Sequence, residues 1–241
     1  MKSSKPLSLL TALATAVLVL SGSIAVPILC RPFYYAHIGA MSMPEYTGLT
    51  VDQIKQAFDE MLDFCLGLRQ DFSVGVLPWS ESGRDHFADV RVLFQLDLVL
   101  LVLSAAALVL LFLFARKRRL TPARLLGRGP GFWAAAGLAA VFLAVGALAA
   151  TDFDRAFVIF HSIFFPGKTN WIFDWRTDPI ILLLPEDFFR NCAILILVLL
   201  VFWCAVLIAA DLLAGRRRKR QAVPPACPGC SGGAGQGDAC K

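Results

Sequence analysis

An all-α membrane protein with four spanning helices is the fold class this sequence predicts, and three observations carry it. Of 241 residues, 57% are hydrophobic and 17% are charged. The apolar residues gather into four long runs, roughly 7–30, 92–115, 131–150 and 192–214, each near the ~20 residues that a helix needs to cross the hydrocarbon of a bilayer. Lysine and arginine cluster in alternate connections, as they do where translocating positive charge is disfavoured.

The first run follows Lys2 and Lys5. It is long for a signal peptide, and Pro27-Ile28-Leu29-Cys30 lacks the small residue that precedes a cleaved bond, so an uncleaved helix is expected. Phe33, Tyr34 and Tyr35 come next, in the band where aromatic rings sit at headgroup level, with His37 beside them as an interfacial side chain. Residues 50–69 read as an amphipathic helix. Thr50 and Gln53 fit a capping box, and Val51, Ile54, Phe58, Leu62, Cys65 and Leu66 recur on one face. That face suits either the second outer segment or the membrane surface.

The second run begins at about Val92, shortly after ESGRDHFADVR. The third is rich in alanine, with Gly131, Gly137 and Gly146, and small residues of this kind let helices approach closely, which places it in the middle of the bundle. AFVIFHSIFF (156–165) and PGKTNWIFDWRTDPIILLLPEDFF (166–189) lead into the fourth run.

Lys2, Lys5, the basic stretch from Arg116 to Arg128 and the run GRRRKR at 215–220 put both termini in the cytoplasm. The outer segments, 31–91 and 151–190, carry nine Lys/Arg against fifteen Asp/Glu and form a small, mainly helical extracytoplasmic cap. The division is therefore 1–214, a transmembrane domain with these outer segments, and 215–241, a basic, Cys/Gly-rich, disordered cytoplasmic tail. The net charge of +5 is a topology signal and calls for no nucleic acid. In the tail, Cys227 and Cys230 resemble half a zinc site, and a third thiol, Cys240, leaves four ligands incomplete. Outside, Cys30, Cys65 and Cys192 are candidates for a disulfide of undecided pairing.

Two of the three histidines fall near membrane boundaries on the outer side. His86 lies before the second helix, flanked by Asp85 and Asp89, and carboxylates so placed are candidates to orient an imidazole. His161 stands among Phe157, Phe160, Phe164 and Phe165, which can bury while the imidazole faces a pocket. Trp171, Asp174, Trp175, Arg176 and Asp178 form an aromatic and charged loop suited to a molecule that is part lipid and part polar; a tryptophan belt with solvated charges explains them equally well. GxSxG, HExxH and phosphate-binding glycine loops are absent. A metal is not expected, because two histidines with nearby aspartates lack the tight spacing of a zinc site. On residues alone, an enzyme and a non-enzymatic module that binds a lipid or a partner protein both remain open.

Three stretches carry a resemblance. E-x-x-x-x-H-x-x-D-V (Glu81, His86, Asp89, Val90), F-x-x-F-H-x-x-F-F (Phe157, Phe160, His161, Phe164, Phe165) and W-x-x-D-x-x-x-D-x-I-x-x-L-L-P-E-x-F-F (Trp171 to Phe189), set in a four-helix plan, resemble the lipoprotein intramolecular transacylase (Lit) family of bacterial integral membrane proteins. The resemblance covers all but the cysteine-bearing tail. It implies a cell-membrane acyltransferase that moves the sn-2 acyl chain of a diacylglyceryl lipoprotein to the α-amino group of its N-terminal cysteine, giving the lyso form. It implies no cofactor, membrane lipid and lipoprotein as partners, and His86 and His161 as the catalytic pair. Glu81, Asp85, Asp89, Trp171, Arg176 and Asp178 are then candidates to orient the histidines or bind substrate. The chemistry agrees with the missing nucleophile, since an α-amine of pKa ~7.7–8.0 is partly neutral at physiological pH and brings its own lone pair.

Overall fold

Four apolar helices long enough to cross a bilayer organise the computed structural model, which describes residues 2–222. They are α1 (Lys5–Leu29), α5 (Glu81–Lys117), α6 (Pro130–Thr151) and α9 (Glu186–Ala222). Within their most apolar windows only 6% to 17% of residues are buried inside the protein. Most of their leucine and valine side chains therefore face outward, as a bilayer requires. The expected middle position of the third helix is not observed. α1 is the helix that packs against α5, α6 and α9, through a face that buries Ser21, Ser23, Ala25 and Ile28. Of the three glycines in α6 only Gly146 is pressed, a Cβ there falling 2.7 Å from Leu197, while Gly137 has open space. Small residues permit close approach, but here they do not all meet a neighbour.

One end of the bundle is tied by contacts invisible to periodicity. β1 (Lys2–Ser4) pairs in parallel with β2 (Leu120–Pro122), a two-stranded addition to an otherwise helical fold. Asp211 of α9 accepts from Arg124 Nη2 at 2.8 Å and from the amide of Gly129 at 3.0 Å. α9 continues to Ala222, past the expected end of the run at 214, and the tail cysteines Cys227, Cys230 and Cys240 lie outside the described residues.

The opposite end carries α2 (Arg31–Ala40), α3 (Met43–Thr47), α4 (Val51–Leu66), α7 (Phe153–Phe164) and α8 (Ile180–Leu183). α4 is the amphipathic helix foreseen, with both bonds of the capping box formed between Thr50 and Gln53. Gly67 ends it at φ +81, a left-handed cap that favours glycine. Its apolar face, Ile54, Phe58, Leu62 and Cys65, packs into the cap rather than onto lipid, meeting Phe87, Ile180, Leu183 and Phe188. Tyr34 stacks on Phe58 at 3.6 Å and donates to the carbonyl of Leu183 at 2.9 Å, joining α2, α4 and α8. Burial pushes the Cys65 thiol up to about 12, which suits packing and not nucleophilic chemistry. Among the described residues, Cys30, Cys65, Cys192 and Cys204 form no disulfide. His37 is structural: its Nδ1–H donates to the carbonyl of Phe33 at 2.7 Å, and Nε2 accepts from Asn191 at 3.1 Å.

α5 begins eleven residues earlier than the apolar run at Val92, so His86 is on the helix and not in a loop before it. Ser80 caps it, accepting from Gly83 N at 3.0 Å, and Asp178 in turn accepts from Ser80 N at 2.7 Å and Ser80 Oγ at 2.8 Å. A carboxylate at this terminus complements the exposed amides and the positive end of the helix dipole. Gly83 makes room for it, since a Cβ would lie 2.3 Å from Asp178 Oδ1 and 3.2 Å from Phe173. Gly83→Ala is expected to lower stability by about 1–3 kcal/mol through this overlap. The readout is thermal unfolding in detergent, where an unchanged midpoint would mean the contact has slack.

Candidate active site

Two helices position the paired imidazoles. His86 rides the polar first turns of α5, outside the apolar segment, and His161 is on α7, whose N-terminus is capped by Asp152 accepting from Arg155 N at 2.9 Å. Their ring centroids are 6.0 Å apart at an interplanar angle of 30°. His86 is 6% exposed and His161 7%.

Aromatic side chains wall the pair. His86 meets Phe165 at 5.1 Å and Phe173 at 5.4 Å. His161 meets Phe157 at 4.1 Å, and Trp171 stacks on it at 4.5 Å and 28°. Burial in so apolar a setting disfavours the imidazolium. For His86, burial first, then the second imidazole of His161 and the cation of Lys168, outweigh the opposing pull of Asp89 and take the pKa down to about 4. For His161, burial lowers the pKa against a raising backbone bond from Phe157. Both rings are therefore neutral near pH 7.

The hydrogen bonds decide a tautomer. His161 Nδ1 lies 2.8 Å from the carbonyl of Phe157. A carbonyl only accepts, so Nδ1 carries the proton and Nε2 keeps its lone pair as a base. His86 Nδ1 is buried without a partner among the described residues.

The six other candidate residues separate. Trp171 is at the site, with its indole N–H donating to the carbonyl of Lys168 at 3.1 Å. Asp89 is beside the pair but does not hold His86 by a hydrogen bond; it accepts from Lys168 and, at 3.2 Å, from Asn170. Burial raises the Asp89 carboxyl, and the bonds from Lys168 and Asn170 reverse this, leaving it below its ordinary range. Asp85 faces solvent and pairs with Arg84 at 2.9 Å, so it does not orient His86. Glu81 is exposed in the first turn of α5. Arg176 is exposed and lies over Trp175 at 5.4 Å. Asp178 is buried, but as the cap of α5 described above. Helical period explains Asp85: one position before His86, it lies about 100° around the helix, whereas Asp89 is nearly one turn on. Lys168, Asn170 and Phe173 escaped notice because their partners on α5 are about eighty positions away in sequence.

Beside the pair is a mostly apolar cavity of about 390 Å³ whose lining includes Phe157, Phe173, Ile181, Leu184 and Phe189, with Glu186 its one carboxylate. Phe157 and Phe173 are shared with the imidazoles, so the cavity and the bases have a common wall. A second hollow of about 400 Å³, between α1 and α5 and lined by Gly22, Ala25, Val26 and Leu101, has no titratable group but Cys30. Among the described residues no group of three or more His, Cys, Asp or Glu side chains converges.

A buried, low-pKa histidine pair makes a signed prediction. Because both folded values lie below the unfolded ~6.5, the folded state resists protonation. The stability this represents is complete above pH 6.5 and is lost as pH falls toward about 4. Nitrogen NMR of labelled histidine should report both rings neutral at pH 6.5; an imidazolium signal from either would contradict the burial argument.

Comparison with known proteins adds to the geometry. The family model described as lipoprotein intramolecular transacylase Lit matches residues 9–189. No curated protein sequence matches the chain. Its fold is similar to the in meso structure of the membrane integral lipoprotein intramolecular transacylase Lit from Bacillus cereus, with a TM-score of 0.78 and 21% identity over 90% of this chain and 97% of that one. Two structures of that Bacillus cereus protein with one histidine replaced, by arginine or by alanine, match with TM-scores of 0.72 and 0.73 at the same 21% identity, covering 90% of this chain and 94% and 95% of theirs. At that identity the likeness is one of fold.

Proposed function

The chain belongs to the lipoprotein intramolecular transacylase family, and from that premise we propose that His86 and His161 are the groups that carry its acyl transfer. The chain is a membrane acyltransferase acting on lipoproteins. The sn-2 acyl chain of a diacylglyceryl lipoprotein passes to the α-amino group of the same N-terminal cysteine. The observation that carries the residue assignment is the fixed tautomer of His161, a buried base facing a second imidazole 6.0 Å away.

In the proposed course, the neutral amine attacks the ester carbonyl, and its nitrogen becomes acidic as the C–N bond forms. Nε2 of His161 takes that proton. His86, neutral at this pH, donates a ring N–H to the oxyanion, a role supported by its unpartnered buried nitrogen. The C–O bond to the sn-2 position then breaks, and the proton held by His161 goes to the departing oxygen. The amide and the free hydroxyl of the lyso product balance the ester and amine consumed. General base assistance contributes ~10²–10⁴ in rate, and holding amine and ester on one lipid contributes on the order of 7 kcal/mol. The apolar cavity beside the rings suits an acyl chain.

The basic clusters near Lys2, between Arg116 and Arg128 and after Gly215 support an orientation with both termini in the cytoplasm and the histidines at the outer leaflet. The division of the chain at 214 belongs to the same reading.

Mass spectrometry of a lipoprotein co-expressed with the chain tests it. Wild type should yield the N-acylated lyso form, and His86→Ala or His161→Ala should lower it by at least ~10², with protein levels unchanged. Persistent diacyl form with wild type would instead favour a binding module, and an active variant would remove that histidine from the mechanism. With purified protein, the initial rate should rise with pH through the ordinary amine range of ~7.7–8.0 and show no limb at ~6.5, both imidazoles being already neutral. A limb centred there would tell against it.

A further inference from the structure

Asn170 joins a neighbour of each imidazole. Asp89, its partner, is nearly one helical turn from His86, and Trp171, the next residue in the chain, stacks on His161. Its amide cannot be turned around. Nδ2 is 3.2 Å from Asp89 Oδ2, and an ionised carboxylate accepts but does not donate, so the nitrogen must face Asp89. Lys168 binds the other oxygen of the same carboxylate and keeps it in place. The amide oxygen, Oδ1, is consequently held away from Asp89, is buried, and has no partner among the described residues. A buried acceptor left unpaired is unfavourable, so the site has a standing demand for an N–H or O–H donor.

The substrate class narrows that donor. Acyl chains and esters of a diacylglyceryl lipoprotein carry no hydrogen-bond donor; its polypeptide carries backbone N–H groups, but the donor that must come to the ester carbonyl for the reaction is the α-amine, with two N–H bonds when neutral and three when charged. Resting on the reading above, we propose that Asn170 Oδ1 accepts a hydrogen bond from the α-amino group of the lipoprotein and holds its nitrogen for attack. Lys168 and Asp89 are then positioning residues that act through Asn170, fixing which end of its amide is offered.

Binding without turnover separates this from the catalytic assignment. Two synthetic diacylglyceryl peptides with ether in place of ester links, one bearing the α-amine and one lacking it, are titrated against the full-length protein in detergent. Wild type should favour the amine by about tenfold, the equivalent of one good hydrogen bond. Asn170→Ala should lose that preference while binding the desamino peptide as wild type does. Asn170→Asp, which keeps an acceptor and adds charge, should retain the preference but move the rise of rate with pH to higher pH, because a carboxylate holds the ammonium. Equal preference in wild type and Asn170→Ala, no preference in wild type, or equal weakening toward both peptides would overturn the proposal. Failure of the transacylase reading would show differently, as wild type that forms no lyso product from the ester peptide.

Discussion

α5 is too long to stay inside a membrane. Its 37 residues span about 55 Å at 1.5 Å each, against a hydrocarbon thickness of ~30 Å, so part of it must project. That constraint shapes the end that carries the paired histidines. The projecting turns carry Gly83, His86, Phe87 and Asp89, each making a contact that a flexible loop would not hold. Ser80 and Asp178 close the helix, Gly83 admits the carboxylate, and the loop ending at Asp178 brings Phe173 against His86. One continuous helix thus transmits the rigidity of the bundle to an imidazole.

Around this helix the cap behaves as a small globular core laid on a membrane bundle. The spanning helices present their apolar residues outward and bury few, whereas Tyr34, Ile54, Met43, Val74 and Ile180 are almost completely buried in the cap. Lipid removes the hydrophobic drive between spanning helices, leaving packing and polar pins such as Asp211 with Arg124. The cap instead packs a buried apolar cluster, and burying the histidines beside it keeps them uncharged. An uncharged pair suits a reaction whose nucleophile is itself an amine, because an imidazolium beside the substrate would repel its ammonium and offer no base.

The apolar cavity and the imidazoles share Phe157 and Phe173 as walls, and Trp171, which stacks on His161, is next in the chain to Asn170 of the Lys168–Asp89–Asn170 cluster. Trp171 links the parts physically, with its ring on His161 and its N–H on the carbonyl of Lys168.

Four long apolar helices, the amphipathic helix with its Thr50–Gln53 box, and two histidines each close in sequence to an apolar run were all legible in the sequence. Each depends on local properties, namely run length, 3.6-residue period and spacing from an apolar segment. Even the site's aromatic company at Phe157 and Phe165 could be read, being within four residues of His161. What needed the tertiary structure was every relation between segments far apart in the chain. Asp85 and Asp89 both flank His86 in sequence, yet helix rotation sends one to solvent and the other toward Lys168 and Asn170. Asp178, read as a site residue, is a helix cap because its partner Ser80 lies 98 positions away. α1 and not α6 is the helix that packs against the other three, since small residues allow contact without choosing a partner. Local periodicity is encoded residue by residue, whereas tertiary partnership depends on the summed packing of the whole chain, and for that reason only the folded chain decided which groups meet.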